Sequence, residues 1–339
     1  MSHTAAPNDA PLSSACSEFN IDSIRAAAAR LHGQIARTPL LESPQLNKAV
    51  GGRVLVKAES LQITGSFKIR GALNAILALE PAERARGVIT FSAGNHGQGV
   101  AAAAASAGVE AVIVLPSEAP TNKIERCRWW GAEVIFYDRA TENRAAVVTE
   151  LIRQRGLTFI PPFDHADTMS GQGTIGLEIA QDLRERGIEP DGVVLNCSGG
   201  GLASGVSESL RHFYPGLPIT LVEAAAIGKW SRALASGEPV TLNTVPPTVL
   251  DGMAGPTTGT KCLASLRAKN PATVEIDDDE ALHGVKAAFE TMRLVVEPAG
   301  ASSIAALLYG KVPARHRTTI VVASGGNIDP DVLARALAV

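Results

Sequence analysis

The chain has 339 residues, of which 45% are hydrophobic and 19% are charged. This balance excludes a disordered chain, and the length suits two domains or one large domain. The net charge of −3 and the aromatic content of 4% argue against a nucleic-acid partner, because neither phosphate attraction nor base stacking is well supplied.

Nothing in the sequence points to a membrane or to export. No apolar run reaches the ~20 residues that a bilayer span needs, so no membrane partner is expected. Residues 1–19 lack the basic start and the apolar stretch of a signal peptide and are predicted to form a disordered tail. Scattered cysteines without a CxxC pair favour a reducing cytoplasm over a disulfide framework or a zinc site. These cysteines are Cys16, Cys127, Cys197 and Cys262.

Short β-branched runs alternate with helical segments along the chain. The first helix is predicted over 21–35, before the break at Thr38-Pro39. Strands are predicted at 53–57, 88–91, 111–115, 133–136, 158–160, 192–195, 219–222 and 318–323. Further helices are predicted at 66–79, 97–107, 120–130, 141–155, 169–186, 202–212, 279–292 and 299–309. Nearly all-apolar strands in this alternation indicate an α/β fold with parallel sheets covered on both faces.

Ligands of such sheets bind at the carboxyl ends of the strands, so the loops after the strands are where chemistry is expected. Three of these loops are unusual in composition: 92–97 (SAGNHG), 198–202 (SGGGL) and 324–327 (SGGN). A fourth unusual segment, 64–68 (TGSFK), lies at a predicted helix start. These four segments are the candidate functional loops.

Three successive glycines occupy 199–201, where a helix is predicted to open. Their backbone N–H groups can converge at the positive end of the helix dipole and bind an anion such as a phosphate. An ordinary tight turn is the alternative. A dinucleotide site is a weaker interpretation, because Gly199-x-Gly201-x-x-Ser204 lacks the third glycine of that motif, although Glu223 has the spacing of a ribose-binding acid.

Lys68 follows Gly65-Ser66-Phe67 at the opening of a predicted helix. Such a lysine is either a solvated surface residue or a buried amine whose neutral form acts as nucleophile and base. A Schiff-base lysine, together with a phosphate-binding loop far away in the sequence, indicates pyridoxal 5'-phosphate. This cofactor carries an aldehyde at one end and a phosphate at the other.

Five motifs, in this order along the chain, resemble the threonine/serine dehydratase and serine racemase family of fold-type II pyridoxal-phosphate enzymes. The motifs are TGSFKIRGA (64–72), SAGNHGQGVA (92–101), SGGGLASG (198–205), EPAGA (297–301) and SGGNID (324–329). The resemblance starts at RTPL (37–40) and continues to the last residue. It implies a fold like that of the tryptophan synthase β chain, with two open twisted, mostly parallel sheets covered by helices.

The resemblance also implies two domains and a homodimer. A large cofactor domain would comprise 20–86 and 165–339, and a small mobile domain, 87–164, would close over the site. The chain is similar to the short, catabolic type of dehydratase, because no regulatory domain follows the last motif.

At the cofactor, the resemblance implies a role for each matching residue. Lys68 would form the Schiff base and take the Cα proton as general base. Phe67 would pack beside the ring, Asn95 would hydrogen-bond the ring hydroxyl oxygen, and Ser324 would meet the pyridine nitrogen. Glu297 would be a further cofactor-binding residue. The phosphate would be bound by the backbone N–H groups of Ser198, Gly199, Gly200, Gly201 and Leu202.

The expected partner is a small amino acid substrate. By the resemblance, Ser92, Asn95 and His96 would hold its carboxylate. Arg144 matches an arginine near the active-site mouth, and a plain helix-surface arginine is the equal alternative. Polar side chains in the loop 163–169 either contact the β-substituent of the substrate or cap the following helix.

The expected reaction converts a β-hydroxy amino acid of the threonine or serine type to a 2-oxo acid and ammonia. A hydroxyl at Ser324 stabilises a protonated pyridine less than a carboxylate does, which favours elimination over transamination. The racemases of the family carry a serine at the position of Ala93, so protonation from the second face lacks its donor here. The alternatives are a serine or hydroxyaspartate racemase, a 3-hydroxyaspartate or phenylserine dehydratase, and, in another class, a non-catalytic nucleotide-binding protein.

Racemases of the family and several relatives bind a divalent metal. Glu223 matches one carboxylate of that site, and Lys229 falls where the second acid is found. An ammonium that pairs with Glu223 would replace the cation. We therefore expect no metal site and no required divalent metal.

Overall fold

A computed structural model of the protein describes residues 18–339. The sequence predictions for residues 1–17, including most of the tail and Cys16, lie outside this range. The strands of the described part are β1 (Leu40–Glu42), β2 (Arg53–Lys57), β3 (Val88–Phe91), β4 (Ala111–Pro116), β5 (Glu133–Tyr137), β6 (Thr158–Phe159), β7 (Gly192–Asn196), β8 (Ile219–Ala224), β9 (Ala272–Ile276) and β10 (Thr318–Val322).

Helices surround these strands. They are α1 (Ile21–Leu31), α2 (Pro44–Val50), α3 (Lys68–Ala78), α4 (Pro81–Ala85), α5 (Asn95–Ala107), α6 (Thr121–Trp129), α7 (Arg144–Arg155), α8 (Ala166–Arg186), α9 (Gly201–Phe213), α10 (Trp230–Ser236), α11 (Thr260–Arg267), α12 (Asp278–Met292), α13 (Pro298–Leu308) and α14 (Pro330–Ala338). Between residues 18 and 339, no helix combines the length and the apolar character that are needed to cross a bilayer.

The strands form two sheets, as predicted. The larger sheet has the order β1-β2-β10-β7-β8-β9, and in it only the edge strand β1 runs antiparallel to its neighbour. The smaller sheet has four parallel strands in the order β5-β4-β3-β6. Parallel strands place their carboxyl ends at one edge, so the loops that follow β7 and β10 meet at the same edge of the larger sheet.

Both faces of the larger sheet are covered by helices. Along β10, Ile320 and Val322 face the cluster that includes α8 and α9, whereas Val321 faces the cluster that includes α12 and α13. All three side chains are fully buried, and burying one aliphatic side chain of this size stabilises the fold by ~1.5–3 kcal/mol. A strand that is buried on both faces explains the near-continuous apolar run in its sequence.

A buried ion-pair network holds α3 in place. Arg70, in α3, donates to Glu59 over 2.8 Å and to Glu178 of α8 over 2.7 Å, and Lys57 of β2 donates to Glu178 over 2.6 Å. Arg70 and Glu59 are fully buried, so neither charge is left without its partner in a region where an unpaired charge is costly. The network therefore fixes the helix whose first residue is Lys68.

The eight predicted strands are present, each within two residues of its expected bounds. The sequence analysis missed β1, which has three residues, and β9, a partly exposed edge strand. It also missed the short helices α2, α4, α10, α11 and α14. The first helix ends at Leu31 rather than at 35, because His32 turns extended and Gly33 has a left-handed φ of 73°. Finally, α5 begins at Asn95 rather than at 97, which moves Asn95 into its first turn.

Candidate active site

The glycine loop joins β7 to α9 and has the geometry of an anion cradle. Gly200 has a left-handed φ of 107°, which few residues other than glycine adopt. A Cβ at Gly199 would lie 2.3 Å from the Phe163 ring, and one at Gly200 would lie 2.6 Å from the Trp230 ring. No backbone N–H group of 198–202 donates a hydrogen bond to another described residue. These free donors at a helix N-terminus fit a phosphate.

Lys68 lies next to this loop. Its Nζ atom donates to the carbonyl oxygen of Pro162 over 2.9 Å and lies 5.2 Å from the centroid of the Phe67 ring. Pro162 precedes Phe163, the residue that packs against Gly199, so two adjacent residues link the amine to the glycine loop. Desolvation lowers the pKa of Lys68 to about 8, which makes its neutral form accessible near neutral pH.

Ser324 follows β10 and is tied to the lysine segment. Its carbonyl oxygen accepts from the Phe67 N–H over 3.0 Å, and an isolated bridge pairs Ser66 with Gly325. The Ser324 hydroxyl accepts a hydrogen bond from Asn196 Nδ2 over 3.0 Å. Two candidate loops that are more than 250 residues apart in the sequence are therefore joined by backbone contacts.

Asn95, the first residue of α5, is held at both ends of its amide. Its Nδ2 atom donates to Glu297 Oε1 over 2.7 Å, and its Oδ1 atom accepts from Asn327 Nδ2, also over 2.7 Å. Asn327 Nδ2 also donates to the carbonyl oxygen of Thr64 over 2.9 Å. Desolvation, with the nearby Asp251 charge as a second cause, raises the pKa of Glu297 to about 7. This group of contacts joins four of the quoted motifs.

His96 and Ser92 lie in the same loop as Asn95. The buried His96 uses Nε2 to donate to the carbonyl oxygen of Ile160 over 3.0 Å, and burial, together with Lys68, lowers its pKa to about 3. The imidazole is therefore neutral, and its Nδ1 lone pair cannot donate to a carboxylate. The Ser92 hydroxyl accepts from the Gly94 N–H over 3.2 Å. Any role of His96 at the substrate carboxylate falls to its backbone N–H.

The first turn of α5 supplies further donors. No backbone N–H of residues 95–97 donates to another residue within 18–339, so this helix N-terminus is a second anion-binding position. Arg144, the first residue of α7, is exposed, and its guanidinium lies 4.6 Å from the centroid of the Phe91 ring. Phe91 directly precedes Ser92, so Arg144 lies beside the candidate carboxylate loop.

The polar side chains of 163–169 serve as caps. His165 caps α8 by accepting from the Asp167 N–H over 3.3 Å. Asp164 accepts from three consecutive backbone N–H groups at the start of α11 over 2.8–3.1 Å. It therefore caps α11, which follows almost a hundred residues later, rather than the next helix.

Sequence reasoning missed three polar residues of this region. Asn327 stands in the quoted SGGNID motif, so its proximity to Ser324 was a usable signal. Asn196 ends β7 directly before the glycine loop, and a polar residue at the end of an apolar strand could have been noticed. Lys123 in α6 pairs with Asp251 over 3.3 Å, a contact that no local pattern reveals.

Glu223 and Lys229 do not form the direct ion pair that the sequence analysis expects. Glu223 Oε1 accepts from the backbone N–H groups of Lys229 (3.0 Å) and Trp230 (2.8 Å), and Oε2 accepts from that of Ser231 (3.3 Å). The fully buried Lys229 Nζ has no hydrogen-bond partner among the described residues. The reason is that Glu223 caps the start of α10, where the helix dipole favours a carboxylate. The Lys229 ammonium and the Glu223 carboxylate still attract each other electrostatically, and burial lowers the pKa of Lys229.

These residues fit pyridoxal 5'-phosphate. The free N–H groups of the glycine loop suit its phosphate, and the Lys68 amine with its lowered pKa suits its aldehyde. The Ser324 hydroxyl lies at the same edge of the larger sheet. The fold and the site together define an α/β enzyme of the pyridoxal-phosphate class with two mostly parallel sheets.

The comparisons with known proteins agree. The chain belongs to the pyridoxal-phosphate dependent enzyme family, whose profile matches residues 31–326. It is 37% identical to L-threo-3-hydroxyaspartate ammonia-lyase from Pseudomonas sp., over 92% of this chain and 96% of that protein. It is 35% identical to the catabolic L-threonine dehydratase TdcB of Escherichia coli K12, over 91% and 93%. The structure of maize serine racemase superimposes with a TM-score of 0.88 at 32% identity, over 95% and 98%.

Proposed function

We propose that the protein is a pyridoxal-phosphate-dependent ammonia-lyase that converts a β-hydroxy amino acid of the threonine or serine type to a 2-oxo acid and ammonia. One observation carries the proposal: the Lys68 amine, with a pKa of about 8, is hydrogen-bonded to Pro162, and the next residue, Phe163, packs against an anion cradle of free N–H groups. A base with a pKa near the working pH is suited to remove the Cα proton.

The chain's own residues would share the work as follows. The cofactor, when bound, supplies the electron sink that acidifies the Cα–H bond of the amino acid. The glycine loop binds the phosphate, and the N–H groups of residues 95–97 bind the substrate carboxylate. The amino acid would thereby be oriented with its Cα–H toward Lys68, which would take that proton. The β-hydroxyl would leave as water after receiving a proton from the Lys68 ammonium so formed. The released enamine would tautomerise to an imine, which water hydrolyses to the 2-oxo acid and ammonia.

Ala93 supports dehydration over racemisation. It stands between Ser92 and Gly94 and packs against the core cluster that includes α3 and α5. A methyl group has no proton to give, so the second face of the reacting carbon lacks the donor that the racemases of this family have there.

A substrate panel tests the proposal. Purified holoenzyme is given L-threonine, L-serine, L-threo-3-hydroxyaspartate and phenylserine, and the release of 2-oxo acid is measured beside the formation of the D-enantiomer. We expect 2-oxo acid release to be the faster reaction, to disappear in Lys68→Ala and to persist in Lys48→Ala, an exposed lysine. Faster racemisation of any of these amino acids would favour the racemase alternative.

A second candidate is an acidic substrate such as 3-hydroxyaspartate. Arg126 lies one turn after Lys123 on α6, and both cations lower the pKa of Glu297 by charge, so they face the same region. The Arg126 side chain makes no hydrogen bond or ion pair with another residue in the range 18–339, which leaves its guanidinium for a second carboxylate. In that case Arg126→Ala would impair turnover of 3-hydroxyaspartate and spare L-threonine.

The division into domains belongs to the same proposal. Residues 87–164 would form a small domain that closes on 20–86 and 165–339. Its support is that α6, beside the smaller sheet, contacts the larger part through Lys123 and Asp251 and through Asn122 Nδ2 and Asp329 Oδ1, both over 3.3 Å. These contacts between exposed or partly exposed side chains are weak, whereas α5 packs on α3 in one buried core. The outer contacts at α6 are therefore the ones that can break when the small domain moves.

A cytoplasmic homodimer completes the proposal. Cys127, Cys197 and Cys262 are free and buried, which suits a reducing compartment. Leu61, Ile63 and Val295 are 52%, 48% and 43% exposed. Exposed side chains of this size are the kind that a second copy covers. Sedimentation of the purified protein at twice the chain mass is the expected result, and a monomer at all concentrations would contradict it.

A further inference from the structure

Asn196 is a buried amide that the proposed mechanism leaves without a task. It is the last residue of β7, and Ser324 follows the neighbouring strand β10 at the same edge of the larger sheet. Asn196 is 9% exposed and Ser324 is 3% exposed. Asn196 Nδ2 lies 3.0 Å from Ser324 Oγ. The amide therefore contacts the side chain that the family resemblance places at the pyridine nitrogen.

The chemistry of the two groups fixes their roles in this hydrogen bond. The NH₂ of an amide only donates, so the Ser324 oxygen is the acceptor. Its own proton is not used in a hydrogen bond to any residue of the described chain. A hydroxyl whose lone pair is already engaged presents its proton to the next neighbour. A donor at that place matches a ring nitrogen that carries a lone pair, and it conflicts with one that carries a proton.

We propose that Asn196 is a positioning residue that orients the Ser324 hydroxyl as a donor and so keeps the pyridine nitrogen of the bound cofactor unprotonated. The inference rests on the proposed function and on the family resemblance, which places Ser324 at that nitrogen. Asn196 acts on the ring only through Ser324. An unprotonated ring withdraws electrons less strongly from the substrate carbanion. The carbanion is therefore shorter-lived, which limits its side reactions and favours prompt loss of the β-hydroxyl.

The orientation of the amide is the point on which the inference depends. Asn196 Oδ1 has no hydrogen-bond partner among residues 18–339. A reversed amide would place this oxygen at Ser324 and take up the hydroxyl proton. Ser324 would then offer a lone pair to the ring and would favour a protonated nitrogen. The two orientations therefore predict opposite protonation states.

The protonation of the ring nitrogen is measured directly. Holoenzyme is reconstituted with pyridoxal phosphate labelled with ¹⁵N in the ring, and the ¹⁵N resonance is recorded at several pH values, since protonation moves it far upfield. For the unchanged protein we expect the unprotonated position at each pH. A resonance at the protonated position would overturn the inference.

Two variants isolate the contribution of Asn196. Asn196→Asp replaces the donor with an acceptor for the Ser324 proton, so the resonance should move toward the protonated position. Asn196→Ala frees the hydroxyl to turn, so the nitrogen should begin to titrate with pH; this variant decides the matter if the aspartate variant fails to retain cofactor. Asn20→Asp, which keeps a side-chain cap of α1, is the matched control and should not move the resonance.

The outcomes separate the inference from the proposed function. Variants at Asn196 whose resonance and pH response equal those of the unchanged protein would overturn the role of Asn196 and leave the lyase proposal standing. A protein that binds no labelled cofactor at Lys68 would overturn both. Visible absorbance, recorded on the same samples, reports whether the cofactor is bound in each variant.

Discussion

Asn95 Nδ2 donates a hydrogen bond to Glu297 Oε1 over 2.7 Å, and the two residues are 202 positions apart in the sequence. Asn95 opens α5, which packs beside the smaller sheet, whereas Glu297 directly precedes α13 on the larger one. Asn327 holds the other end of the same amide. A carboxyl with a raised pKa thus lies where the two sheets contribute to one site.

Glu297 makes the stability of the protein depend on pH. Its pKa is about 7 in the folded protein and 4.5 when unperturbed, so between these values the folded state binds more protons than the unfolded state. The contribution of Glu297 to the free energy of unfolding is greatest below pH 4.5. It falls by about 3 kcal/mol at most as the pH rises to about 7. Urea unfolding at both ends of this pH window should show a larger fall in the free energy of unfolding for the unchanged protein than for Glu297→Gln. Equal slopes would contradict the assignment.

Lys68 should react as a neutral amine at a lower pH than an ordinary lysine does. Desolvation lowers its pKa from 10.5 to about 8. In the cofactor-free protein, the rate at which a small amine-reactive reagent modifies Lys68 should therefore reach half its maximum near pH 8. Peptide mass analysis after short exposures at a series of pH values measures that rate. A midpoint near 10.5 would show that the amine is solvated.

Adding a methyl group to the glycine loop should weaken cofactor binding. In Gly199→Ala the new Cβ would lie 2.3 Å from the Phe163 ring, so either the ring or the loop must move. A disturbed set of N–H donors should raise the dissociation constant of pyridoxal phosphate at least about tenfold, or ~1.4 kcal/mol. Gly192→Ala is the control, since its new Cβ has no neighbour nearer than 3.6 Å. Equal affinities in the two variants would argue against the cradle.

The activity should not require a divalent metal. Glu223 is occupied by three backbone N–H groups, and the ammonium of Lys229 is buried nearby. Dialysis against a chelator should leave turnover of the holoenzyme unchanged, and added magnesium should not raise it. In Lys229→Asp, where the cation is replaced by a second acid, magnesium should begin to stimulate. Loss of activity in the chelator, restored by magnesium, would contradict the expectation.

Much of the fold could be predicted because its strands are buried on both faces. The runs VITF, GVVLN and TTIVV carry β-branched residues between turn signals, and each is found as a strand. In contrast, β9 (ATVEI) is partly exposed at an edge, and its pairing with β8 rather than its composition defines it. Short helices such as α10 depend on a tertiary cap, here Glu223, which no local pattern shows.

The site was predictable to the extent that its chemistry lies in contiguous motifs. The lysine and the glycine loop were found from residue type and position alone, whereas partner choice was not. The His96 imidazole donates a hydrogen bond to the Ile160 carbonyl oxygen, and Asp164 caps α11. Both choices follow from where the folded chain places the Ile160 carbonyl and the N–H groups at the start of α11. Asn196 and Asn327 were missed because their importance follows only from contacts between distant segments.

The most direct test of the account is to locate the covalent link between cofactor and protein. The purified protein is reduced with borohydride, digested, and analysed by peptide mass. We predict loss of the visible absorbance band and a pyridoxyl group on Lys68, with no such group in Lys68→Ala. A pyridoxyl group on another lysine, or a protein that takes up no pyridoxal phosphate, would contradict the central claim.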